Sequence, residues 1–313
     1  MKKIRSYTFF YFFIKVFVFT ISLYALIVLL DAKREWMDKF YLAFSTANGP
    51  VVFIFLFLFM LLNIGLEAFK WKRLIHSIES ISFIKALMAV YSGICAGLIT
   101  PHSIGDYIGR VFFVKNTKRF ESIGSILFSR LSQLLITCIT GIIAACYFLW
   151  RIELDNRIFT LILISIISIV VFYVSWEKRT YLLDKMQRLP LLNKIEFWFD
   201  HIRTYSPSLF YQTLLLSALR YAVFLTQFVV LLIFFGIKLP LELLIVGGIF
   251  TFFVKSLIPT FFDLGIRELA AVYFFSQFGI PQEPVILASL SLWFFNLIIP
   301  SFIGLFCMFK IER

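Results

Sequence analysis

The residues of this chain that could do chemistry are few, and they stand where charge is costly. Two stretches, Thr100 to Val114 (TPHSIGDYIGRVFFV) and Ile258 to Phe274 (IPTFFDLGIRELAAVYF), each carry a proline that interrupts an apolar run. After the proline both read Ser/Thr-x-x-Asp-x-x-x-Arg, with Ser103, Asp106 and Arg110 in the first and Thr260, Asp263 and Arg267 in the second. Ser or Thr followed three residues later by an acid is the sequence of a helix N-terminus, so each stretch is expected to restart a helix. The acid and the arginine then fall at i and i+4 on one face, acid first, which is the favourable order. Arg130 and Arg220 lie inside long apolar segments with no acid three or four residues away, so their partners must come from other helices. Glu268, next to Arg267, is expected on a different face, as a second partner or a protonatable group.

An ionisable side chain costs about 3 kcal/mol or more at the centre of a membrane helix, so its presence there calls for a use. Guanidinium groups grip phosphate in bidentate fashion, and arginines gathered around a cavity suit a phosphate-bearing headgroup. The candidate substrate-binding set is Arg110, Arg130, Arg220, Arg267, Asp106, Asp263 and Glu268. The structural alternative is mutual neutralisation, Asp106 by Arg110 and Asp263 by Arg267. Lys255 reads as a residue near an interface, and Asn296 as an interhelical hydrogen-bonding group.

An enzyme acting on a lipid phosphate is the rival from another class. The chain has no Asp-x-Asp pair, no Cys/His/Asp cluster and no glycine-rich phosphate loop, and no catalytic residue is assigned. An aspartate paired with arginine has a lowered pKa and makes a poor general base. Cys95, Cys138, Cys146 and Cys307 fall in apolar segments without CxxC spacing, and His76, His102 and His201 are scattered, so neither a disulfide framework nor a metal or other cofactor is expected.

The elements that must position these groups are membrane helices. The chain of 313 residues is 61% apolar and 15% charged and has 41 phenylalanines, and several apolar runs exceed the ~20 residues that cross a bilayer. The expected fold is all-α, a polytopic helical bundle forming a single transmembrane domain over 1–313, with full spans near 9–30, 51–69, 123–150, 158–176, 209–235 and 285–309. The run after the N-terminal lysines has no small-residue cleavage site and reads as a retained span. A mixed-charge loop is expected over 31–48, and Lys70, Lys72 and Arg73 read as a basic cluster closing the second span. Two segments, 86–114 and 241–278, read as re-entrant helical hairpins broken at Pro101 and Pro259, with Gly93-x-x-x-Gly97 and Gly105-x-x-x-Gly109 as close-packing faces on the arms of the first. An amphipathic segment over 177–207 is expected to lie on the cytoplasmic face.

The lysines and arginines outside the spans gather on one side, which puts both termini in the cytoplasm and makes the hairpins enter from opposite faces. Paired, interrupted segments of opposite orientation point to an inverted-repeat transporter. The net charge of +12 is that of cytoplasmic loops resting on anionic lipid, and no nucleic-acid partner is implied. The abundance of Phe, Ile and Lys fits a bacterial inner membrane.

Pro101…Gly105-Asp106…Arg110, Ser129-Arg130-Leu131 and Ile258-Pro259…Gly265-Ile266-Arg267-Glu268 together resemble the transmembrane flippase-type domain of lysylphosphatidylglycerol synthases, over nearly the whole chain. That family usually has Gly-Glu where Gly105-Asp106 stands, often has acids at Ser129 and Gln133, and tends to have glycines at Phe262 and Asp263. The resemblance implies lipid handling, and the soluble aminoacyl-transferase domain of the full-length synthases, with its tRNA-dependent synthesis, is not expected here. The expected activity is movement of an anionic or aminoacylated phospholipid, or a polyprenyl-phosphate lipid, by alternating access. A homo-oligomer and a lipid-synthesising partner enzyme are both left open as assemblies, and a substrate-free membrane scaffold is a further reading.

Overall fold

The computed structural model describes residues 34–98, 100, 103–115, 119–151, 200–258 and 265–309, with short pieces between 173 and 185. The first expected span, most of the fourth, most of the 177–207 segment, and Pro101, Pro259, Thr260 and Asp263 lie outside the described residues. What is described is helical: α1 (Arg34–Phe44), α2 (Gly49–Ile75), α3 (Phe83–Leu98), α4 (Gly105–Val111), α5 (Ser122–Arg151), α6 (Pro207–Phe234), α7 (Leu241–Leu257), α8 (Ile266–Ser276), α9 (Gln282–Trp293) and α10 (Ile299–Phe309). A 3-10 turn at Asp200–Thr204 precedes α6, and a π-helical turn at Phe294–Ile298 joins α9 to α10 without a break. The mixed-charge stretch expected as a loop is therefore largely helix. Its Trp36, Met37, Phe40, Tyr41 and Phe44 recur at helical spacing, which the scattered charges obscure.

Among the described residues, four helices are long and apolar enough to cross a membrane: Gly49–Ile75, Ser122–Arg151, Pro207–Phe234 and Gln282–Met308. α2 shows how such a helix is sided. Leu56, Met60, Ile64, Glu67, Trp71 and Leu74 are buried along one stripe, while Ile54, Leu58, Leu61 and Leu62 are exposed on the other. Exposed leucines and phenylalanines recur on the outer faces of the bundle, as at Leu215, Leu269 and Phe306. A bilayer is the solvent such a surface suits.

α2 and α6 pack together at the centre. Around them the packing is reciprocal: α3 lies against α10, and α7 lies against α5. Phe228, Phe274, Phe275 and Phe295 fill one core, and Met60, Trp71, Ala86, Ala89 and Val90 another. The shorter helices cannot cross alone. At ~1.5 Å per residue, α3 and α7 reach only about 25 Å of a ~30 Å hydrocarbon layer.

The α3–α4 pair is held at backbone contact by its glycines. A Cβ at Gly109 would stand 2.5 Å from the Ser92 carbonyl oxygen and 2.6 Å from Gly93 Cα, and one at Gly97 would stand 3.2 Å from Ser103 Cβ. One at Gly105 would collide with the Ala96 carbonyl, and one at Gly93 with the Asp106 carboxylate itself. The two Gly-x-x-x-Gly faces thus interlock, and the space left by a missing methyl is taken by a charged side chain.

Candidate functional site

The site begins with that carboxylate. α4 starts at Gly105, but neither Ser103 nor Asp106 caps it. The Gly105 N–H donates instead to Thr100 Oγ1 (2.7 Å), and Asp106 is turned inward. Its Oδ1 accepts from Arg110 Nε (2.7 Å), the expected i,i+4 pair, and its Oδ2 accepts from Arg130 Nη2 (2.7 Å) on α5. Arg110 then reaches through Nη1 to Glu67 Oε1 (2.8 Å) on α2. Glu67 Oε2 takes Lys70 Nζ (2.9 Å) from the next turn and Arg220 Nη1 (3.0 Å) from α6. The result is an alternating chain, Lys70–Glu67–Arg110–Asp106–Arg130, with Arg220 joined at Glu67.

A neutral seam continues it. Arg220 Nε donates to Asn63 Oδ1 (2.6 Å), and Asn63 Nδ2 donates to Asn296 Oδ1 (3.1 Å). Asn296 Nδ2 donates to Gln227 Oε1 (3.0 Å), and Gln227 Nε2 donates to the Leu56 carbonyl (3.0 Å). Asn296 is thus the interhelical hydrogen-bonding group its sequence position suggests. Buried polar groups left without partners are expensive, and this seam satisfies them across α2, α6 and the π-helical turn.

The second arginine cluster is built differently. α8 begins after Gly265, whose φ of +95° strains any other residue, and the Gly265 N–H donates to Glu268 Oε2 (2.7 Å). Glu268 is therefore the acid at this helix start among the described residues, and Asp263 lies outside them. Its Oε1 accepts from Arg267 Nη2 (2.7 Å) and from Ser289 Oγ (2.9 Å), while Arg267 Nε donates to Ser289 Oγ (2.7 Å). Adjacent in sequence and expected on different faces, Arg267 and Glu268 fold back onto one another.

These groups border one cavity of about 510 Å³, whose wall includes Glu67, Asp106, Arg110, Arg130, Arg220 and Arg267. Lys70, Lys255 and Asn296 also line it, and apolar side chains, among them Leu131, Leu134, Phe224 and Phe252, make up the rest. The charges are layered. Glu67, Asp106 and Arg110 have side chains only 3–5% exposed, whereas Arg220 is 23% and Arg130 36% exposed. An anion entering the cavity would meet Arg130 and Arg220 first. Among the described residues, the wall carries six cationic side chains against two carboxylates, with Glu268 already committed to Arg267. No group of His, Cys, Asp and Glu suited to a metal occurs among the described residues.

Two members of the network are ones the sequence reading did not reach. Lys70, read as part of a basic cluster at the membrane surface, is 1% exposed, because α2 runs on to Ile75 and buries it more than a turn from the helix end. Glu67 was not singled out. The signal available was the Asn63, Glu67, Lys70 spacing, which follows the same stripe as Met60, Trp71 and Leu74.

A helical bundle with, among the described residues, four membrane-length apolar helices and a cluster of charged side chains around an interior cavity defines an integral membrane protein. The lysylphosphatidylglycerol synthase TM region matches residues 12–304, and the chain belongs to that family, which points to a role with membrane lipids. No curated protein and no solved structure matches the chain.

Proposed function

We propose that the protein carries a phosphate-bearing lipid across the membrane, its headgroup passing through the arginine-lined cavity while the tails stay in the bilayer. One observation supports this above the others: among the described residues Lys70, Arg110, Arg130 and Arg220, from α2, α4, α5 and α6, converge on one cavity around two carboxylates, Glu67 and Asp106. A bundle needing charge only as a lock would balance it, since an uncompensated buried cation costs several kcal/mol. Arg110, Arg130, Arg220 and Arg267, with Asp106, Glu268 and the Asp263 of the second stretch, are the residues assigned to substrate. Helices too short to span and the reciprocal packing of α3 on α10 and α7 on α5 support re-entrant hairpins that open the cavity alternately to either face. The membrane is taken to be a bacterial inner membrane with both termini in the cytoplasm, and the role to be transport rather than catalysis.

The test is lipid movement by the purified protein in liposomes, with fluorescent lysyl-phosphatidylglycerol, phosphatidylglycerol and a polyprenyl-phosphate sugar as probes. Movement of at least one probe, lost in Arg130→Gln and Arg220→Gln variants that elute as folded protein, is the expected result. No movement of any probe, or movement indifferent to both substitutions, would overturn the reading.

A further inference from the structure

The charge network has a deficit that specifies its ligand. Glu67 and Asp106 hold Lys70, Arg110, Arg130 and Arg220 between them, and every carboxylate oxygen is already engaged: Glu67 Oε1 by Arg110 and Ser129, Oε2 by Lys70 and Arg220, Asp106 Oδ1 by Arg110 and Oδ2 by Arg130. Four cations on two carboxylates leave, among the described residues, two positive charges without a counter-charge. Arg267 adds nothing to this, because Glu268 balances it. The surplus lies on the cavity side, where Arg130 and Arg220 are the accessible members, and Arg130 Nε is a buried donor with no partner.

We infer that this cavity is built for a phosphate monoester headgroup, and that it rejects aminoacylated headgroups. The inference rests on the transport reading above and deepens it. A phosphate monoester carries about −1.5 to −2 charge near pH 7 and presents three strong acceptor oxygens, matching both the size of the deficit and the idle guanidinium donors. A phosphodiester, with a single negative charge, leaves one cation uncompensated. A lysyl-esterified headgroup, net positive, places ammonium groups against an existing positive surplus, which low-dielectric surroundings make severe. The apolar wall of Leu131, Leu134, Phe224 and Phe252 accepts the start of a hydrocarbon chain, so the monoester is expected on a lipid. Inorganic phosphate shares the headgroup chemistry but lacks that contact.

The experiment is a headgroup series on the intact protein in detergent, read by quenching of tryptophan fluorescence, since Trp293 lies in the cavity wall. Probes are dioctanoyl phosphatidate, dioctanoyl phosphatidylglycerol, lysyl-phosphatidylglycerol and inorganic phosphate. A hydrogen-bonded charge is worth about tenfold or more in affinity, so phosphatidate should bind about 10-fold or more tighter than phosphatidylglycerol, with lysyl-phosphatidylglycerol weakest. Arg130→Gln and Arg220→Gln should each bring phosphatidate down to the phosphatidylglycerol level. If either variant fails to fold, the series on the unaltered protein decides. Equal affinity for monoester and diester, or tightest binding of the lysyl lipid, overturns the inference. Inorganic phosphate competing at the same concentration as phosphatidate would identify the ligand as free phosphate, keeping the monoester chemistry and removing the lipid. The same probes in liposomes separate the two proposals: lipids that move without preference for the monoester sink this inference alone, while selective binding with no movement sinks the transport reading alone.

Discussion

Replacing Glu67 by Gln should strip three buried cations of their shared counter-charge and destabilise the bundle. The carboxylate is 3% exposed and accepts from Lys70 (2.9 Å), Arg110 (2.8 Å) and Arg220 (3.0 Å), with Ser129 Oγ at 3.4 Å. Gln keeps the shape but loses the charge, and its amide donors face three cations. Removing one partner of a buried ion pair costs about 3–5 kcal/mol, mostly because the opposite charge is left stranded. In a protein of this size each kcal/mol is worth about 2 °C, so the midpoint of unfolding should fall by about 6–10 °C. The measurement is thermal unfolding in detergent at one fixed scan rate, because membrane bundles seldom refold and only rates compare fairly. Glu283→Gln is the control: its pair with Lys39 is about half exposed on both sides, and a surface pair is worth ~1 kcal/mol at most. Adding Lys70→Met to Glu67→Gln removes the nearest stranded cation and should recover part of the loss. If Glu67→Gln melts with the Glu283→Gln control, the carboxylate does not hold the network and the layered description of the site is wrong.

Gly93→Ala places a methyl where the Asp106 carboxylate lies, so it should abolish lipid movement at least as fully as Asp106→Asn, measured in the same liposomes. Gly109→Ala pushes backbone against backbone between α3 and α4, and overpacking of that kind should destabilise by about 1–3 kcal/mol, visible as a lower melting temperature. Asn296→Leu strands the Asn63 amide and the Gln227 carbonyl and should cost about 1–3 kcal/mol for each group left unpaired, again read by melting. Outside the spans, burial pushes the His201 pKa from 6.5 down to about 4, with Ser125 Oγ 2.8 Å from its Nε2. The unfolded chain takes up that proton first as pH falls, so this contribution is complete above about 6.5 and is lost toward about 4. His201→Gln should flatten the melting-temperature profile across that window, and an unchanged slope would remove His201 as its source.

What could be read in the sequence was charge that breaks an apolar pattern. Arg110, Arg130, Arg220 and Arg267 each interrupt a hydrophobic run, and all border one cavity. The Asp106–Arg110 spacing was legible because i,i+4 is a local relation, and so were the glycine pairs of α3 and α4, which pack face to face. Glu67 and Lys70 were not, because they precede Lys72 and Arg73 and look like the start of a basic surface. Only the run of α2 through Ile75 shows them to be interior. Capping was misread for a related reason: Asp106 has the right offset from Ser103 for a cap, but two guanidinium groups compete for its oxygens and win. Which cation pairs with which carboxylate across α2, α4, α5 and α6 is a property of tertiary packing and leaves no mark on any one segment.

The π-helical turn at Phe294–Ile298 gives the last span two orientations in one continuous rod. A π turn holds one more residue than an α turn, and one residue is about 100° of rotation, so the side chains of α10 are out of phase with those of α9. α9 turns Ser289 toward Arg267, while α10 turns Gly304 against the Tyr91 carbonyl and Cys95 of α3. Deleting a single residue between 294 and 298 would let the helix relax to a regular α register without shortening its reach by more than about 1.5 Å. Because the residue removed is the one the turn absorbs, Gly304 would keep its phase against α3, whereas the same deletion within α9 would rotate it by about 100°. The last span behaves as a key cut on two sides, in which length is spare and phase is not.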